Sequence, residues 1–257
     1  MNVEYMILNP SGNLTALVLG DAYSQEERIR INDAIMTLDP AIEQVGFLSA
    51  KECRLTMAGG EFCGNATRCA AYYYHHLTER DGSVIHVNSD VLATGADGDD
   101  VWTEIPVDGY EIEKLDGGRY LVRMKGITHL VMREERLEDA SEAYLKATAQ
   151  QLMENYHLDD EAVGVMFQRR EADGIHMYPV IWVRSVDTLI CENACGSGTI
   201  ATAMVEAVLA GATGSYQIFQ PSGDLLGADI RMENGRVTKA VLSGQIKTDR
   251  EILSIHV

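Results

Sequence analysis

Short apolar runs alternate with helical apolar faces along the chain. Residues 2–9 and 14–19 are apolar runs of strand length, separated by Asn9-Pro10-Ser11-Gly12, whose Pro and Gly are typical of a turn. Ser24 and Glu27 then form a capping box, which predicts the start of a helix because each side chain satisfies a backbone N–H of the first turn. The first part of the chain therefore predicts a mixture of strands and helices.

Three further helices are predicted along the chain. Gly64 to Arg80 contains no helix breaker, a helix capped by Asp139 with Glu142 three residues on should run to about Tyr156, and small residues fill a helix from about Gly196 to Leu209. The other apolar runs predict strands over residues 45–49, 53–57, 84–88, 101–105, 110–115, 162–168 and 175–184, with 120–132 as one extended segment. Turn signals at 221–223 and 233–235 separate apolar segments and predict antiparallel strands at the end of the chain.

The same Cys-Gly step opens a helix of small residues in each half of the chain, at Cys63-Gly64 and at Cys195-Gly196. This repeat predicts two lobes of one plan, residues 1–117 completed by 246–257, and residues 118–245, with the boundary near a Gly-rich turn. Approximate two-fold symmetry between such lobes would bring the two helix starts face to face across a cleft.

Composition narrows the classes of partner. The 257 residues are 46% hydrophobic and 23% charged, which is enough to form a packed core. A net charge of −18 disfavours nucleic acid and anionic membrane surfaces, so a small molecule is the expected partner. Neither an apolar run long enough to span a membrane nor a leader-like start is present, and we expect a cytoplasmic protein with free thiols.

The paired Cys-Gly steps suggest a specific chemistry. A helix N-terminus presents backbone N–H donors and a partial positive charge, which bind carboxylates and lower the pKa of a cysteine placed there. Glycine after each cysteine would leave room for a ligand. If the carboxylate of an α-amino acid binds the amides of Gly64, Asn65, Gly196 and Ser197, its α-carbon lies between two sulfurs. One thiolate can then remove the α-proton while the opposite thiol returns a proton, and inversion needs no pyridoxal phosphate or other cofactor.

The same residues also allow less specific interpretations. Isolated cysteines are usually small buried hydrophobes, and we interpret Cys53, Cys69 and Cys191 in that way. The cysteine and histidine spacings do not match a zinc site, so no metal is expected. A binding protein on an inactive racemase scaffold, or a redox-responsive protein in which Cys63 and Cys195 form a disulfide, stays open as an alternative class.

Residues 63–69, Cys-Gly-Asn-Ala-Thr-Arg-Cys, resemble the C-G-N-G-x-R-C block of the diaminopimelate epimerases, and residues 194–198 resemble their A-C-G-[ST]-G block. Ser11-Gly12-Asn13 is similar to the family's early Asn-containing segment, whose Asn contacts substrate. The resemblance implies an α/β (α+β) fold of two pseudo-symmetric lobes, each a mixed, largely antiparallel sheet wrapped round a central helix. It also implies cofactor-independent racemisation by Cys63 and Cys195, with Asn13 as a substrate-binding residue.

Departures from the family's blocks concern the substrate. Diaminopimelate epimerases carry a Glu-Arg pair shortly before the second cysteine, which holds the distal end of their substrate, and residues 185–192 contain no such pair. Within the superfamily the chain looks most similar to the histidine racemases of opine-type metallophore biosynthesis. The resemblance therefore implies interconversion of L- and D-histidine, with diaminopimelate epimerase or a proline-type racemase as alternatives. The sequence does not fix the oligomeric state, and a homodimer is compatible with it.

Overall fold

A computed structural model describes residues 1–20, 22–49, 51–78, 83–133, 137, 141–184 and 188–257. They form a mixed α/β fold with two compact units, Met1–Ile105 with Leu242–Val257, and Pro106–Val241. No helix within these ranges is both long and apolar enough to cross a membrane.

The first unit contains the strands and helices of the first part of the chain and the end of the last long strand. Its elements are β1 (Asn2–Pro10), β2 (Thr15–Leu19), α1 (Gln25–Leu38), β3 (Gln44–Ser49), β4 (Arg54–Met57), α2 (Gly64–Leu77), β5 (Val84–Val87), β6 (Asp90–Asp97), β7 (Asp100–Ile105) and β17 (Leu253–His256). Strand β1 pairs antiparallel with β2 and with β17, while β2–β3 and β4–β5 are parallel pairs. Helix α2 packs against strands β1 to β7 and buries most of its residues in the core of the unit.

Within the described residues, the second unit contains most of the remaining strands and two α-helices. Its elements are β8 (Glu111–Lys114), β9 (Tyr120–Met124), β10 (Ile127–Arg133), α3 (Glu142–Asn155), β11 (Ala162–Arg170), β12 (Ile175–Val183), β13 (Thr188–Cys191), α4 (Gly196–Ala210), β14 (Gly214–Phe219), β15 (Leu225–Glu233) and β16 (Arg236–Lys247), whose end lies in the first unit. Strand β10 pairs parallel with β11 and antiparallel with β9, and β11 pairs antiparallel with β12. Helix α4 contacts β9, β10, β11, β14 and β15, while α3 contacts β12 and β13 and shares a hydrophobic core with residues of β10 and β11.

Local sequence signals account for most of these elements. Helix α1 begins at the predicted capping box, in which Ser24 Oγ accepts from the Glu27 backbone N–H at 3.2 Å and the Glu27 carboxylate accepts from the Ser24 N–H at 2.7 Å. Helix α4 ends at Gly211, whose left-handed φ of 65° is a conformation that glycine adopts without strain. The two terminal turns at 221–223 and 233–235 also separate strands as predicted.

Several predicted boundaries were wrong. Helix α3 is capped by Ser141, whose Oγ accepts from the Tyr144 N–H at 3.3 Å, whereas the predicted cap, Asp139, lies outside the described residues. Helix α2 ends at Leu77, and the extended segment 120–132 is a hairpin of β9 and β10 that turns at Gly126, where φ is 83°. Strand β6 was missed because its glycine and charged residues break the two-residue hydrophobic period.

The division between the units also differs from the predicted one. It falls after Ile105 and again before Leu242, rather than after residue 117 and before residue 246. Strand β8 explains the shift, because it pairs antiparallel with β9 and therefore belongs to the second unit. The Gly-rich turn at 116–118 lies inside that hairpin and joins two strands of one unit.

Candidate active site

Cys63, the first of the two predicted catalytic cysteines, is the N-cap residue of helix α2. Cys63 has extended backbone angles, φ −135° and ψ 113°, and its Sγ accepts from the Ala66 backbone N–H at 3.4 Å. The Thr67 hydroxyl donates to the Cys63 carbonyl at 2.8 Å. The sulfur therefore occupies the N-cap position, directly beside the positive end of the helix.

The second cysteine has the same local geometry in the other unit. Cys195 has φ −122° and ψ 108°, its Sγ accepts from the Gly198 N–H at 3.4 Å, and the Thr199 hydroxyl donates to its carbonyl at 2.7 Å. The repeat recognised in the sequence is thus a repeat of structure. In each unit, a thiol caps a helix and the next two residues supply the first helical N–H groups.

A chain of side-chain amides surrounds Cys63. Its S–H donates to Gln44 Oε1 at 2.9 Å, and Gln44 Nε2 donates to Asn13 Oδ1 at 2.5 Å and to Thr15 Oγ1 at 2.6 Å. Asn13 Nδ2 in turn donates to the Glu43 carboxylate at 2.5 Å. The fold therefore brings Asn13 into the surroundings of Cys63, with Gln44 between them.

Asn65 joins this network directly and is oriented by a buried arginine. Its Nδ2 donates to Asn13 Oδ1 at 3.4 Å, and its Oδ1 accepts from the Arg68 guanidinium at 3.3 Å. Arg68 is fully buried and also donates to the carbonyls of Val101 and Gln245. Burial lowers the pKa of Arg68 to about 10, so the side chain stays charged at neutral pH. Arg68 thus fixes the orientation of the Asn65 amide at the start of α2.

Cys195 lies in a drier and more acidic environment. Burial, followed by the Glu192 carboxylate, which accepts a hydrogen bond from the thiol, raises the pKa of Cys195 well above its usual value. The Ser197 hydroxyl, 3.6 Å from Sγ, and the Gly198 N–H act in the opposite direction and are outweighed. The expected lowering of a cysteine pKa by the helix N-terminus is therefore wrong for Cys195, which rests as the neutral thiol.

A glutamine positions the backbone of Cys195. The buried Gln220 Oε1 accepts from the Cys195 N–H at 3.0 Å, while Gln220 Nε2 donates to the Thr199 hydroxyl at 3.1 Å. The same side chain therefore contacts the residue before the helix and its first turn.

The glycine after Cys63 has a packing role. A Cβ at Gly64 would lie 3.0 Å from a Leu242 methyl carbon and 3.1 Å from one of Ile105, so the glycine lets α2 approach its own core. In the second helix, a Cβ at Gly198 would overlap the sulfur of Met166. Part of the small-residue signature is therefore a signature of close helix packing.

Of the remaining cysteines, Cys69 borders the Cys63 network, because its thiol hydrogen-bonds with Thr15, whereas Cys191 lies near Glu142, outside both networks. All five are free thiols. Cys69 is buried in the first unit, where burial raises its pKa to about 12, and Cys191 is half-buried with a pKa raised by burial and by Glu142. Cys53 is half-buried against the core of the first unit. The raised pKa values of Cys69 and Cys191 disfavour a reactive thiolate at either position.

One group of side chains has the composition of a cation site. Glu171, Asp173 and His176 lie near the turn between β11 and β12, and their ligand atoms are within 4.8 Å of one another. Asp173 is 3.0 Å from His176 Nε2, and Glu171 pairs with Arg169 at 2.9 Å. The group is thus satisfied as an ion-pair cluster.

The glutamines of both networks, Gln44 and Gln220, are not predictable from local sequence. Gln44 comes close to Cys63 only because β3 pairs with β2 in a register that places Gln44 opposite Thr15, and Gln220 directly follows β14. Neither has a local signal, since the contact depends on strand pairing. Glu192, by contrast, is only three residues before Cys195, so its proximity follows from the sequence.

Comparison with known proteins adds family information to this geometry. The family model described as "Histidine racemase CntK N-terminal domain" matches residues 2–97 and 102–251. A histidine racemase from Fusobacterium nucleatum is 27% identical over 77% of this chain and 79% of its own, and one from Staphylococcus aureus is 27% identical over 87% of each. A hydroxyproline epimerase structure from Agrobacterium vitis, 13% identical, superposes with a TM-score of 0.68 over 99% of this chain and 92% of its own, and supports the fold alone.

Proposed function

The chain belongs to the histidine racemase family, and we propose that it interconverts L- and D-histidine without a cofactor, with Cys63 and Cys195 as the acid/base pair. The observation that carries this proposal is the duplicated helix start, in which each thiol caps a helix with an N–H···S distance of 3.4 Å. Inversion requires the two thiols to reach opposite faces of one α-carbon, and this arrangement is part of the proposal.

The proposed reaction is a pair of proton transfers. In one direction the Cys63 thiolate removes the α-proton, and the Cys195 S–H delivers its proton to the other face of the planar carbanion; in the reverse direction the roles exchange. The neutral state of Cys195, whose pKa is raised by burial and by Glu192, suits the proton donor. Because each thiol's ionisation affects the other, the pair would titrate as a coupled unit.

The substrate carboxylate is expected at the helix starts. Amides of Gly64, Asn65, Gly196 and Ser197 would hold it and stabilise the enolate-like charge that develops on its oxygens in the transition state. In the first unit, Gln44 would hold the Cys63 thiol, and Asn13 would fix Gln44 while its amide contacts the substrate. These assignments extend the roles that the sequence suggested for Asn13 and the four backbone positions.

The names of similar proteins support histidine, rather than another amino acid, as the proposed substrate. The similar proteins from Fusobacterium nucleatum and Staphylococcus aureus carry the name histidine racemase, and the Glu-Arg pair expected of a diaminopimelate epimerase is absent from the sequence before Cys195. The hydroxyproline epimerase shares the fold, but at 13% identity it does not indicate the substrate of this chain.

Solvent exchange tests substrate and reaction class together. Purified protein in deuterated water, without added cofactor, should incorporate deuterium at the α-carbon of L-histidine and abolish its optical rotation, as measured by mass spectrometry and polarimetry. LL-diaminopimelate and L-proline serve as parallel substrates. Exchange of one of these alone would overturn histidine as the substrate, and no exchange with any amino acid would overturn the racemase activity.

Serine substitutions test the thiols. We expect Cys63→Ser and Cys195→Ser each to lower kcat for histidine racemisation by about 100- to 10,000-fold, the typical contribution of a positioned acid or base. Cys191→Ser is the matched control, because that half-buried thiol lies outside both networks, and should keep near wild-type activity. Activity that survives in the Cys63→Ser/Cys195→Ser double variant would exclude the thiols as the acid/base pair.

We also propose a cytoplasmic location and a small-molecule substrate rather than a nucleic-acid or membrane partner, supported by the net charge of −18. A homodimer is compatible with these features. Light scattering after gel filtration measures the oligomeric state directly.

A further inference from the structure

A buried histidine without a protein partner lies in the second unit. His129 on β10 is 0% exposed, and within the described part of the chain neither ring nitrogen has a hydrogen-bond partner. Burial lowers its pKa to about 3, so the ring is neutral at physiological pH and offers one N–H donor and one acceptor nitrogen. Leaving such groups unpaired in a protein interior is unfavourable, which points to a partner outside the chain.

The ring occupies space that a glycine leaves open. Gly164 lies opposite His129 in the parallel β10–β11 pair, and a Cβ there would overlap His129 Nδ1. The same Cβ position is 2.8 Å from Ile181 Cδ1 and from Met166 Cε. Met166 also lies against Gly198, so these side chains are on the α4 side of the sheet.

The level of His129 relative to α4 follows from three contacts along the helix. Gly198 lies against Met166, Thr202 donates to the Met177 sulfur at 3.5 Å with Met177 opposite Gln168, and Glu206 pairs with Arg170. Each step of four helical residues, about 6 Å, therefore matches two residues of β11, about 6.6 Å. Met166 lies level with Gly198, so Gly164, two residues earlier on β11, lies level with the residue four positions before Gly198, just before the helix begins. His129 is opposite Gly164 in the β10–β11 pair and therefore lies at the same level.

His129 thus lies just beyond the N-terminus of α4, on the side where Cys195 caps the helix. The helix start supplies N–H donors for a carboxylate, but an amino acid also carries an α-ammonium group, which needs an acceptor. A neutral imidazole supplies one. Apolar neighbours such as Ile181 and Met166 would strengthen that hydrogen bond by excluding water.

We propose that His129 is a substrate-binding residue of the second unit, whose ring accepts a hydrogen bond from the α-ammonium group of the amino acid held at the start of α4. This inference rests on the proposed racemase function. It assigns the ammonium group a partner, whereas the helix start accounts only for the carboxylate.

Binding measurements separate the two proposals. Calorimetry compares L-histidine with 3-(imidazol-4-yl)propanoate, which lacks only the α-ammonium group, on wild type and His129→Leu. We expect His129→Leu to reduce the preference for histidine over this analogue by about ten-fold or more, the effect of losing a hydrogen bond to a charged group. His129→Asn keeps an acceptor and should retain part of the preference; it also decides the question if His129→Leu does not fold.

Thermal unfolding distinguishes a substrate-binding role of His129 from a purely structural one, because only a structural role would lower the unfolding midpoint when the ring is removed. Because no described group pairs with the ring, His129→Leu should keep or raise the unfolding midpoint, whereas Val131→Ala, two residues along the same face, should lower it and keep the preference for histidine. An unchanged preference in both His129 variants, or a lowered midpoint with unchanged preference, would overturn the inference.

If wild type exchanges a different amino acid, histidine as the substrate fails, and that amino acid and its deaminated analogue replace the pair in the same test. If no amino acid exchanges, both proposals fail.

Discussion

At the residue scale, the two helix-capping cysteines differ in what surrounds them. Cys63 S–H donates to a neutral amide, Gln44, while Cys195 lies beside the Glu192 carboxylate in a more buried position. The backbone geometry is the same in both, so the difference comes from side chains. The two helix starts therefore hold thiols in different electrostatic surroundings, and only that of Cys195 is next to a carboxylate that raises its pKa.

Glu192→Gln should lower the pKa of the Cys195 thiol, because Glu192 raises it both by its charge and by accepting the hydrogen bond. The pH midpoint for alkylation of the Cys195 peptide, followed by mass spectrometry, should therefore move down, giving more thiolate at a given pH.

Glu142→Gln is the matched control for this measurement. Glu142 contributes to the raised pKa of Cys191, so its substitution should lower the midpoint for the Cys191 peptide and leave that of Cys195 in place. An unchanged or higher alkylation midpoint for Cys195 in Glu192→Gln would show that Glu192 does not raise the pKa of this thiol.

At the element scale, the helix starts carry both structure and chemistry. Cys63 and Cys195 satisfy N–H groups of the first turn, a task usually given to Ser, Thr, Asp or Asn, and Thr67 and Thr199 bind the carbonyls of the capping residues. Gly64 and Gly198 let the helices approach neighbouring side chains closely. The motifs are therefore constrained by packing as well as by the proposed reaction.

Helix α3 offers a test of the corrected cap. Ser141→Ala should lower the free energy of unfolding by about 1 kcal/mol, because the Tyr144 N–H loses its acceptor. Urea denaturation measures the change. Asp139→Ala, at the position that the sequence suggested, is the comparison and should cost less; equal losses in the two variants would contradict Ser141 as the cap.

At the scale of the whole molecule, the end of the chain completes the first unit. Leu253–His256 pair with Asn2–Tyr5, and the Gln245 carbonyl accepts from the buried Arg68 guanidinium. Strand β16 carries the chain from the second unit back to the first. The orientation of Asn65 beside Cys63 therefore depends on residues near the C-terminus.

Removing residues 242–257 should destabilise the first unit selectively, by at least about 3 kcal/mol, because β1 loses β17, one of its partner strands, and a buried charge loses an acceptor. Hydrogen exchange should rise in β1 and α2 while β11 and β12 stay protected. Removing only residues 252–257 keeps Gln245 and should have a smaller effect on α2. Equal protection of α2 in the full and shortened chains would contradict the dependence.

The sequence by itself determined the local elements and the position of both thiols. Capping residues, turn residues and small-residue helices are local signals, and for this reason α1, α4 and the Cys-Gly helix starts were found at or near their observed bounds. The family resemblance, confirmed by the family match, rests on those same short blocks.

Only the tertiary structure decided which side chains meet these thiols. Gln44 reaches Cys63 through the register of β2 and β3, and Gln220 reaches Cys195 from the position directly after β14. The boundary after Ile105 likewise follows from the pairing of β8 with β9. Contacts of this kind join residues distant in sequence, and burial then sets their protonation. Local sequence patterns determine neither the register of strand pairs nor the burial of individual side chains.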